Sequence, residues 1–267
     1  MGGTSSICHS STKCSAAQAR RVIWCDTEGG VRGVALWDIT CLEETEHGVT
    51  GYRLCNVQRA TKKGRAMLKK ELSSDVYNDG LKTGSTSVMT LYLSSSDKWQ
   101  TQTSVSVDLP LGDMLKSYLK SREASIMVAW NMNGHDRHVL RRAVGDVLDL
   151  VTTWDALPWF RAAYTLPKNT MSSCKAGTPR SVFDVPDHGS AHSSLSDTVH
   201  MRHVVQRAAY CIGTDREDMK GYRGATQAEL FAASCREIEA TAVVKEWVKV
   251  SPAAWIPGII PASVSGT

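Results

Sequence analysis

The sequence predicts an α/β fold in which helices flank a mixed sheet, and two observations support this fold class. First, residues 21–58 contain three β-rich runs that are separated only by a Gly-Gly pair and a short polar stretch, and such short connections favour an antiparallel meander. Second, strand-like apolar runs alternate with helical patterns between residues 111 and 209. Because strand–helix–strand order implies parallel pairing, we expect the sheet to have an antiparallel half and a parallel half.

The composition is that of a globular protein. The chain has 267 residues, of which 42% are hydrophobic and 22% are charged. One large domain, or one domain with an appendage, is therefore expected, and a disordered polymer or a coiled coil is excluded. No apolar run reaches the roughly 18 residues that a membrane span requires, so no membrane partner is predicted. The net charge of +4 permits an anionic partner without requiring one.

The cysteines and the N-terminus bear on the compartment. Eight cysteines are scattered without a Cys-x-x-Cys pair, and the N-terminus lacks the apolar stretch of a signal peptide. These features predict an intracellular protein, cytoplasmic or nuclear, in a reducing compartment. A zinc knuckle at Cys8, His9 and Cys14 is the less favoured interpretation, because no second ligand pair follows at the spacing of a zinc site.

Local patterns predict the elements of the first half. Residues 1–19 are small and polar and are predicted to be a flexible tail. After the three β-rich runs come a basic segment at residues 60–72, a stretch rich in Gly, Ser, Asn and Asp, and a weak strand pattern at residues 88–93. The spacing of apolar residues then predicts a helix over residues 111–124.

The second half alternates strands with helices. A buried strand is predicted at residues 125–130, a helix over residues 135–148 and a short strand at residues 149–154. A further helix is expected after Asp155, and another over residues 194–209. This order of elements is the source of the expected parallel pairing.

A C-terminal helical extension and tail, residues 213–267, is predicted to follow a domain of residues 20–212. Thr226 and Glu229 form a T-x-x-E capping box at the start of a helix that reaches about Val248. The helix is expected to dock on the core. Three prolines in the final segment prevent it from continuing.

The most informative feature is Asp26-Thr27-Glu28 at the end of the first β-rich run. Side chains at positions i and i+2 of a strand face the same way, so Asp26 and Glu28 are expected to project together from the rim of a central strand. Two carboxylates so near each other repel unless a cation lies between them. Mg²⁺ or Mn²⁺ is the cation that suits such oxygen ligands. An exposed acidic turn is the alternative interpretation of Asp-x-Glu taken alone.

Two further segments bring polar groups to the same end of the sheet. Asp136 follows a buried strand and an Asn-rich turn and lies in the first turn of a helix, where α/β sheets gather their ligands. His192 precedes Asp197 by five residues, across a helix start capped by Ser193 or Ser194. Five residues on one helix would point to different faces. His192 is therefore expected in the loop, reaching over a site to which Asp197 points from the second helical turn.

These segments resemble a known family. In this order and at compatible separations, WCDTEGG, AWNMNGHDRHVL and AHSSLSDTVHMRHVV resemble the three exonuclease motifs of the DEDDh 3′→5′ exonucleases, the superfamily of RNase T and the TREX nucleases. The resemblance covers roughly residues 20–212, and the loop before the histidine is its most specific part. It implies a ribonuclease H-like fold, with a five-stranded mixed sheet of an antiparallel meander plus parallel strands, flanked by helices.

The same resemblance implies a catalytic set of four metal-binding carboxylates and one histidine, namely Asp26, Glu28, Asp136, Asp197 and His192. The carboxylates would hold two Mg²⁺ or Mn²⁺ ions per active site, and His192 would be the general base for the attacking water. The implied reaction is hydrolysis of phosphodiester bonds from single-stranded 3′ ends of DNA or RNA, with release of nucleoside 5′-monophosphates.

Candidate substrate contacts lie beside the motifs; they are Gly29, Asn131, Arg137 and Arg141. Gly29 stands where the family often has a Thr or Ala, so its contact with the terminal nucleotide is expected through the backbone N–H. Arg137 and Arg141 lie one turn apart and are placed for substrate phosphates. Pairing of Arg141 with a carboxylate is the alternative.

Several alternatives stay open at this point. Lys62, Arg65 and Lys69 share a helical face that either follows a phosphate backbone or is merely solvated. The alternative function is a catalytically silent nucleic-acid-binding domain of the same fold, and a purely structural domain is third. Four clustered carboxylates without metal would cost stability, which argues against the silent domain. A preference for DNA or RNA is not predicted, and a homodimer is allowed but not required.

Overall fold

The architecture is that of a computed structural model, which describes residues 21–29, 35–93, 99–165, 177–187 and 192–241. Its strands are β1 (Val22–Glu28), β2 (Asp38–Thr45), β3 (Gly48–Cys55), β4 (Thr86–Leu93), β5 (Trp99–Val107), β6 (Ile126–Ala129) and β7 (Thr152–Asp155). Across these ranges they form a seven-stranded sheet in the order β5-β4-β3-β2-β1-β6-β7. β1 to β5 pair antiparallel, whereas β6 pairs parallel with β1 and β7. The predicted mixed α/β sheet is thus confirmed.

Eight helices accompany these strands in the described ranges. They are α1 (Lys62–Glu71), α2 (Ser74–Thr83), α3 (Leu111–Lys120), α4 (Arg137–Val144), α5 (Ala156–Phe160), α6 (Gly177–Val182), α7 (Ser194–Gly213) and α8 (Gln227–Thr241). None of them is long and apolar enough to cross a membrane. The predicted tail at residues 1–19 and the chain after residue 241 lie outside the described residues.

Alternate residues of β1 enter two hydrophobic cores, one on each face of the sheet. Trp24 is fully buried on the face covered by α5, α7 and α8, whereas Ile23 and Cys25 are fully buried on the face covered by α3 and α4. This period of two is the expected consequence of strand geometry. It places β1 in the centre of the molecule, with its C-terminal end between the helices of both faces.

The implied five-stranded sheet was wrong in its strand count. β1, β2, β3, β6 and β7 correspond to the antiparallel meander and the parallel strands, and β4 and β5 extend the sheet beyond β3. β4 matches the weak strand pattern at residues 88–93. β5 escaped prediction because its Gln, Thr and Ser side chains are largely exposed on an edge strand, which leaves no apolar alternation.

Three predicted helices differ in their boundaries. The helix expected over residues 111–124 ends at Lys120. The helix expected over residues 135–148 is divided into a π-helical turn (Met132–Asp136), α4 and a 3₁₀ segment (Gly145–Leu150). The helix expected to end near Ala209 continues to Gly213.

The capping box is confirmed, because the Glu229 carboxylate accepts from both the backbone N–H and the hydroxyl of Thr226. The docking of α8 is confirmed by Phe231, which is buried in the core with α7.

The described cysteines form no disulfide. Cys25, Cys41, Cys55 and Cys211 are buried free thiols, so they behave as small apolar core residues. The segment of the disfavoured zinc knuckle, with Cys8, His9 and Cys14, lies outside the described residues.

Buried ion pairs attach helices to both faces of β2. On one face, both oxygens of Glu43 accept from the Nε–H of Arg122, which lies two residues after the end of α3. On the other face Glu44 accepts from Nε and Nη2 of Arg202 in α7, at 2.9 and 2.6 Å, and from the indole N–H of Trp24 at 2.8 Å. Each buried carboxylate therefore has a guanidinium partner, the condition under which buried charges are tolerated.

We predict that Glu44→Gln destabilises the protein by about 3–5 kcal/mol, because it leaves the Arg202 guanidinium buried without a counter-charge. Urea denaturation measures the loss. Arg141→Gln is the matched control, since its ion pair with Asp149 is exposed and solvent screening leaves such pairs with little effect on stability. Equal losses in the two variants would contradict the assignment.

Candidate active site

Acidic side chains gather at the C-terminal end of β1. Asp26 and Glu28 follow Trp24 on the same face of the strand, the face covered by α7, as the i, i+2 spacing predicted. Both side chains are partly buried. The cross-strand neighbour of Glu28 is Asp38, the first residue of β2, so a third carboxylate lies at the same rim.

Asp136 reaches this rim from the opposite face of the sheet. It ends the π-helical turn before α4, and only 3% of its surface is exposed. Its Oδ1 accepts from the hydroxyl of Thr27 at 2.7 Å and from the Thr27 backbone N–H at 3.2 Å. The turn itself is held by Asp155, whose Oδ2 accepts from the Asn133 N–H at 2.9 Å. Thr27, which lies between Asp26 and Glu28, therefore positions Asp136.

His192 and Asp197 complete the cluster from the start of α7. The backbone N–H of His192 donates to Oδ2 of Asp197 at 3.1 Å, and His192 has φ +67°. Glu28, His192 and Asp197 each offer one ligand atom, and these three atoms lie within 4.8 Å of one another. His192 is in the loop, as predicted. Asp197 lies in the first turn of α7 and not in the second.

The electrostatics show that the carboxylates share one environment. Burial, and then the charges of Asp136 and Asp197, raise the pKa of Asp26 well above its ordinary value. Burial, followed by the charges of Asp38 and Asp197, raises the pKa of Glu28 to about 8. Burial also raises the pKa of Asp197, against the opposing effect of the hydrogen bond from His192. Mutual repulsion of this kind marks a place that favours a cation or a proton.

A buried ion pair connects this rim to the histidine loop. Arg53 of β3 donates two hydrogen bonds of 2.8 Å to Asp38, and its third nitrogen, Nη1, donates to Glu71 at 2.5 Å. The other oxygen of Glu71 accepts from the hydroxyl of Ser193 at 3.4 Å. Ser193 is the N-cap residue of α7, but its side chain makes no cap hydrogen bond, contrary to prediction. Its hydroxyl instead ties the loop of His192 to α1.

The four predicted substrate residues lie in different environments. Gly29 has φ +135°, and a Cβ there would lie 2.5 Å from the Ala35 carbonyl oxygen, so only glycine fits. Asn131 and Arg137 are exposed on either side of Asp136 along the chain. Arg141 donates to Asp149 and Asp146, as its alternative interpretation held. A substrate contact for any of these residues stays a prediction.

Sequence reasoning missed the residues that position the site. Thr27, Asp155, Asp38 and Arg53 act through tertiary hydrogen bonds. One signal in the sequence could have identified two of them. Asp38 and Arg53 are oppositely charged residues in otherwise strand-like runs, and such charges are expected to pair when they are buried. Arg180 of α6 was also missed; its positive charge lowers the pKa of Asp197.

Four carboxylates and one imidazole thus meet at the end of β1, and the four carboxylates form no ion pair with any described arginine or lysine. No protein-family model matches the chain, and no curated protein matches its sequence.

We predict that, without metal, the wild-type protein loses stability relative to Glu28→Gln as the pH rises from about 5 to about 8. The folded state raises the Glu28 pKa from 4.5 to about 8. Between these two pKa values the folded protein keeps a proton on Glu28 that the unfolded chain has released. The stability that this proton provides is lost as the pH rises through the folded-state pKa. Urea denaturation in EDTA measures the difference, and added Mg²⁺ should reduce it. A difference that does not vary with pH would contradict the shared environment.

Proposed function

We propose that this protein is a metal-dependent 3′→5′ exonuclease that hydrolyses phosphodiester bonds of DNA or RNA from the 3′ end and releases nucleoside 5′-monophosphates. The observation that carries the proposal is the meeting of Glu28, His192 and Asp197 within 4.8 Å, at the rim that also bears Asp26 and Asp136. These are the residues of the three motifs that resemble the DEDDh exonucleases. A ribonuclease H-like fold is part of the same proposal.

The donor set fits a hard divalent cation. Carboxylate oxygens are the preferred ligands of Mg²⁺ and Mn²⁺. Burial and then the neighbouring carboxylates raise the pKa values of Asp26 and Glu28, an environment in which a bound cation would stabilise the charged forms. We assign two ions to a ligand set made up of Asp26, Glu28, Asp136 and Asp197. When bound, such ions make a coordinated water more acidic and offset the negative charge of the phosphate in the transition state.

The protein itself supplies proton transfer and orientation. An imidazole is the side chain best suited to exchange protons near neutral pH, and His192 is exposed at the edge of the carboxylate cluster. We assign it the role of general base, taking one proton from the attacking water. The hydrogen bond from its backbone to Asp197 fixes the loop, while its ring remains available for substrate.

Substrate is proposed to enter over the surface between β1 and α4. Gly29 follows Glu28 directly and would contact the terminal nucleotide through its backbone N–H, and Arg137 offers a guanidinium one residue after Asp136. Asn131 precedes the π-helical turn and is exposed. These groups would hold the terminal nucleotide and its phosphate, with single-stranded 3′ ends as the partner.

We predict that hydrolysis requires Mg²⁺ or Mn²⁺ and starts from a free 3′ end. A 5′-labelled oligonucleotide should give a descending ladder of products, and EDTA should abolish it. Side-by-side digestion of single-stranded DNA, duplex DNA and RNA identifies the preferred substrate. Turnover that persists after metal is stripped, or cutting of a circular strand, would overturn the proposal. Binding without hydrolysis would identify the silent nucleic-acid-binding alternative.

We predict that His192→Ala separates proton transfer from metal binding. Loss of a general base typically lowers the rate about 10²–10⁴-fold, whereas Asp197→Ala should weaken metal affinity as well, since it removes a ligand. Single-turnover cleavage and calorimetric metal titration measure both effects. His138→Ala, an exposed histidine on α4, is the control. A folded His192→Ala protein that cleaves nearly as fast as wild type would remove His192 from the mechanism.

A further inference from the structure

α1 presents a cationic stripe that the proposed chemistry has not used. Its outer face carries five basic residues, which are Lys62, Lys63, Arg65, Lys69 and Lys70. At 100° per residue they fall within an arc of about 160°. The helical rise of 1.5 Å makes the stripe about 12 Å long. Glu71 is the only acidic residue of the helix, and it lies on the opposite face.

The inner face of α1 explains how the stripe is fixed. A Cβ at Gly64 would lie 2.6 Å from the Trp37 ring, so the helix backbone packs directly on that indole. Leu68 is fully buried beside it. Glu71 is bound by Arg53. The apolar face of α1 is therefore used in the core, and the cations lie on the opposite face.

Helix physics accounts for only part of this charge, because the helix dipole favours Lys69 and Lys70 in the last turn. Lys62 and Lys63 lie in the first turn, where the helix dipole disfavours positive charge, and the turn has no acidic residue. Arg65 and Lys69 are four residues apart, a spacing at which like charges destabilise a helix. No side chain of the stripe forms an ion pair or hydrogen bond with another described residue. The two first-turn lysines and the Arg65–Lys69 pair therefore carry a local cost, and the stripe has no intramolecular partner among the described residues.

The stripe begins next to the candidate active site. Glu71, one residue after Lys70, accepts from Ser193, and Ser193 follows His192. The C-terminal end of α1 and the histidine loop are thus joined by a side-chain contact. Since Glu71 faces away from the stripe, a chain of phosphates must leave the site over the C-terminal end of α1 to reach its outer face. It would then meet Lys69 and Lys70 first, and Lys62 and Lys63 further on.

We propose that the outer face of α1 binds the phosphodiester backbone of the single-stranded nucleic acid whose 3′ end lies in the active site; this inference rests on the proposed function. Four of the five cations are lysines, which act as point charges on phosphates and do not favour one base. DNA and RNA are therefore bound alike. A membrane surface fits less well, because membrane-binding helices need an exposed apolar face and that of α1 is buried.

The test compares Lys69→Gln/Lys70→Gln, and the variant that also carries Lys62→Gln and Lys63→Gln, with wild type. Fluorescence anisotropy in EDTA gives the affinity for single-stranded DNA and RNA of about 20 nucleotides as a function of salt. Each lysine that contacts a phosphate contributes about 0.7 to the slope of log K against log salt. The quadruple variant should lose about 3 from that slope and bind about 10- to 100-fold more weakly at low salt.

Lys82→Gln/Lys120→Gln is the matched control. These two lysines are exposed on α2 and α3 and make no described ion pair, so the control removes the same charge as the first double variant. It should leave the slope within experimental error of wild type. An equal loss in control and test variants would show a nonspecific effect of net charge and overturn the proposal.

Further measurements distinguish a failure of this proposal from a failure of the proposed function. If wild type binds the oligonucleotides and the stripe variants do not, the surface stands even when no phosphodiester is cleaved with Mg²⁺. If the enzyme is active, the defect should be larger on the long oligonucleotide than on a dinucleotide. Unchanged oligonucleotide binding in the quadruple variant, no binding by wild type, or losses confined to phosphatidylserine vesicles would each overturn it.

Discussion

The fold is organised by how negative charge is distributed on two adjacent strands. β1 and β2 both bury carboxylates on the face that α7 covers. On β2, Asp38 and Glu44 are each held by two hydrogen bonds from a guanidinium, so their charge is balanced and the pairs fasten β3 and α7 to the sheet. On β1, Asp26 and Glu28 have no such partner among the described residues. Since an uncompensated buried charge is unfavourable, this rim is where the folded chain has most to gain from a cation.

The same ion pair that stabilises the sheet also shapes the site. Asp38 lies across from Glu28, and without Arg53 it would add a full negative charge to the cluster. Arg53 offsets part of this charge, and its remaining donor holds Glu71, which in turn binds Ser193. One guanidinium therefore links β2, β3, α1 and the loop of His192. Stability and site geometry are coupled here, so substitutions of Arg53 will affect both together.

The parts of the fold that could be predicted are those whose sequences have an apolar pattern. The meander and the parallel strands were predictable because the central strands, such as β1 and β6, are apolar runs bounded by turns. β5 was not, since an exposed edge strand needs no apolar face. The π-helical turn at Met132–Asp136 was also hidden, because it depends on the hydrogen bond from Asn133 to Asp155, a contact between segments distant in sequence.

The site divides in the same way. The strand period predicted that Asp26 and Glu28 share a face, and the loop-to-helix spacing predicted that His192 and Asp197 lie together. Residues that act through a partner were not predictable in this manner. Arg141 shows why: it lies one turn after Arg137 and close to Asp136 in sequence, yet its guanidinium pairs with Asp149. A sequence gives the sign of each charge, but only the fold decides which charges neutralise one another. The carboxylates that the fold leaves without a described cationic partner are those for which we propose a chemical role.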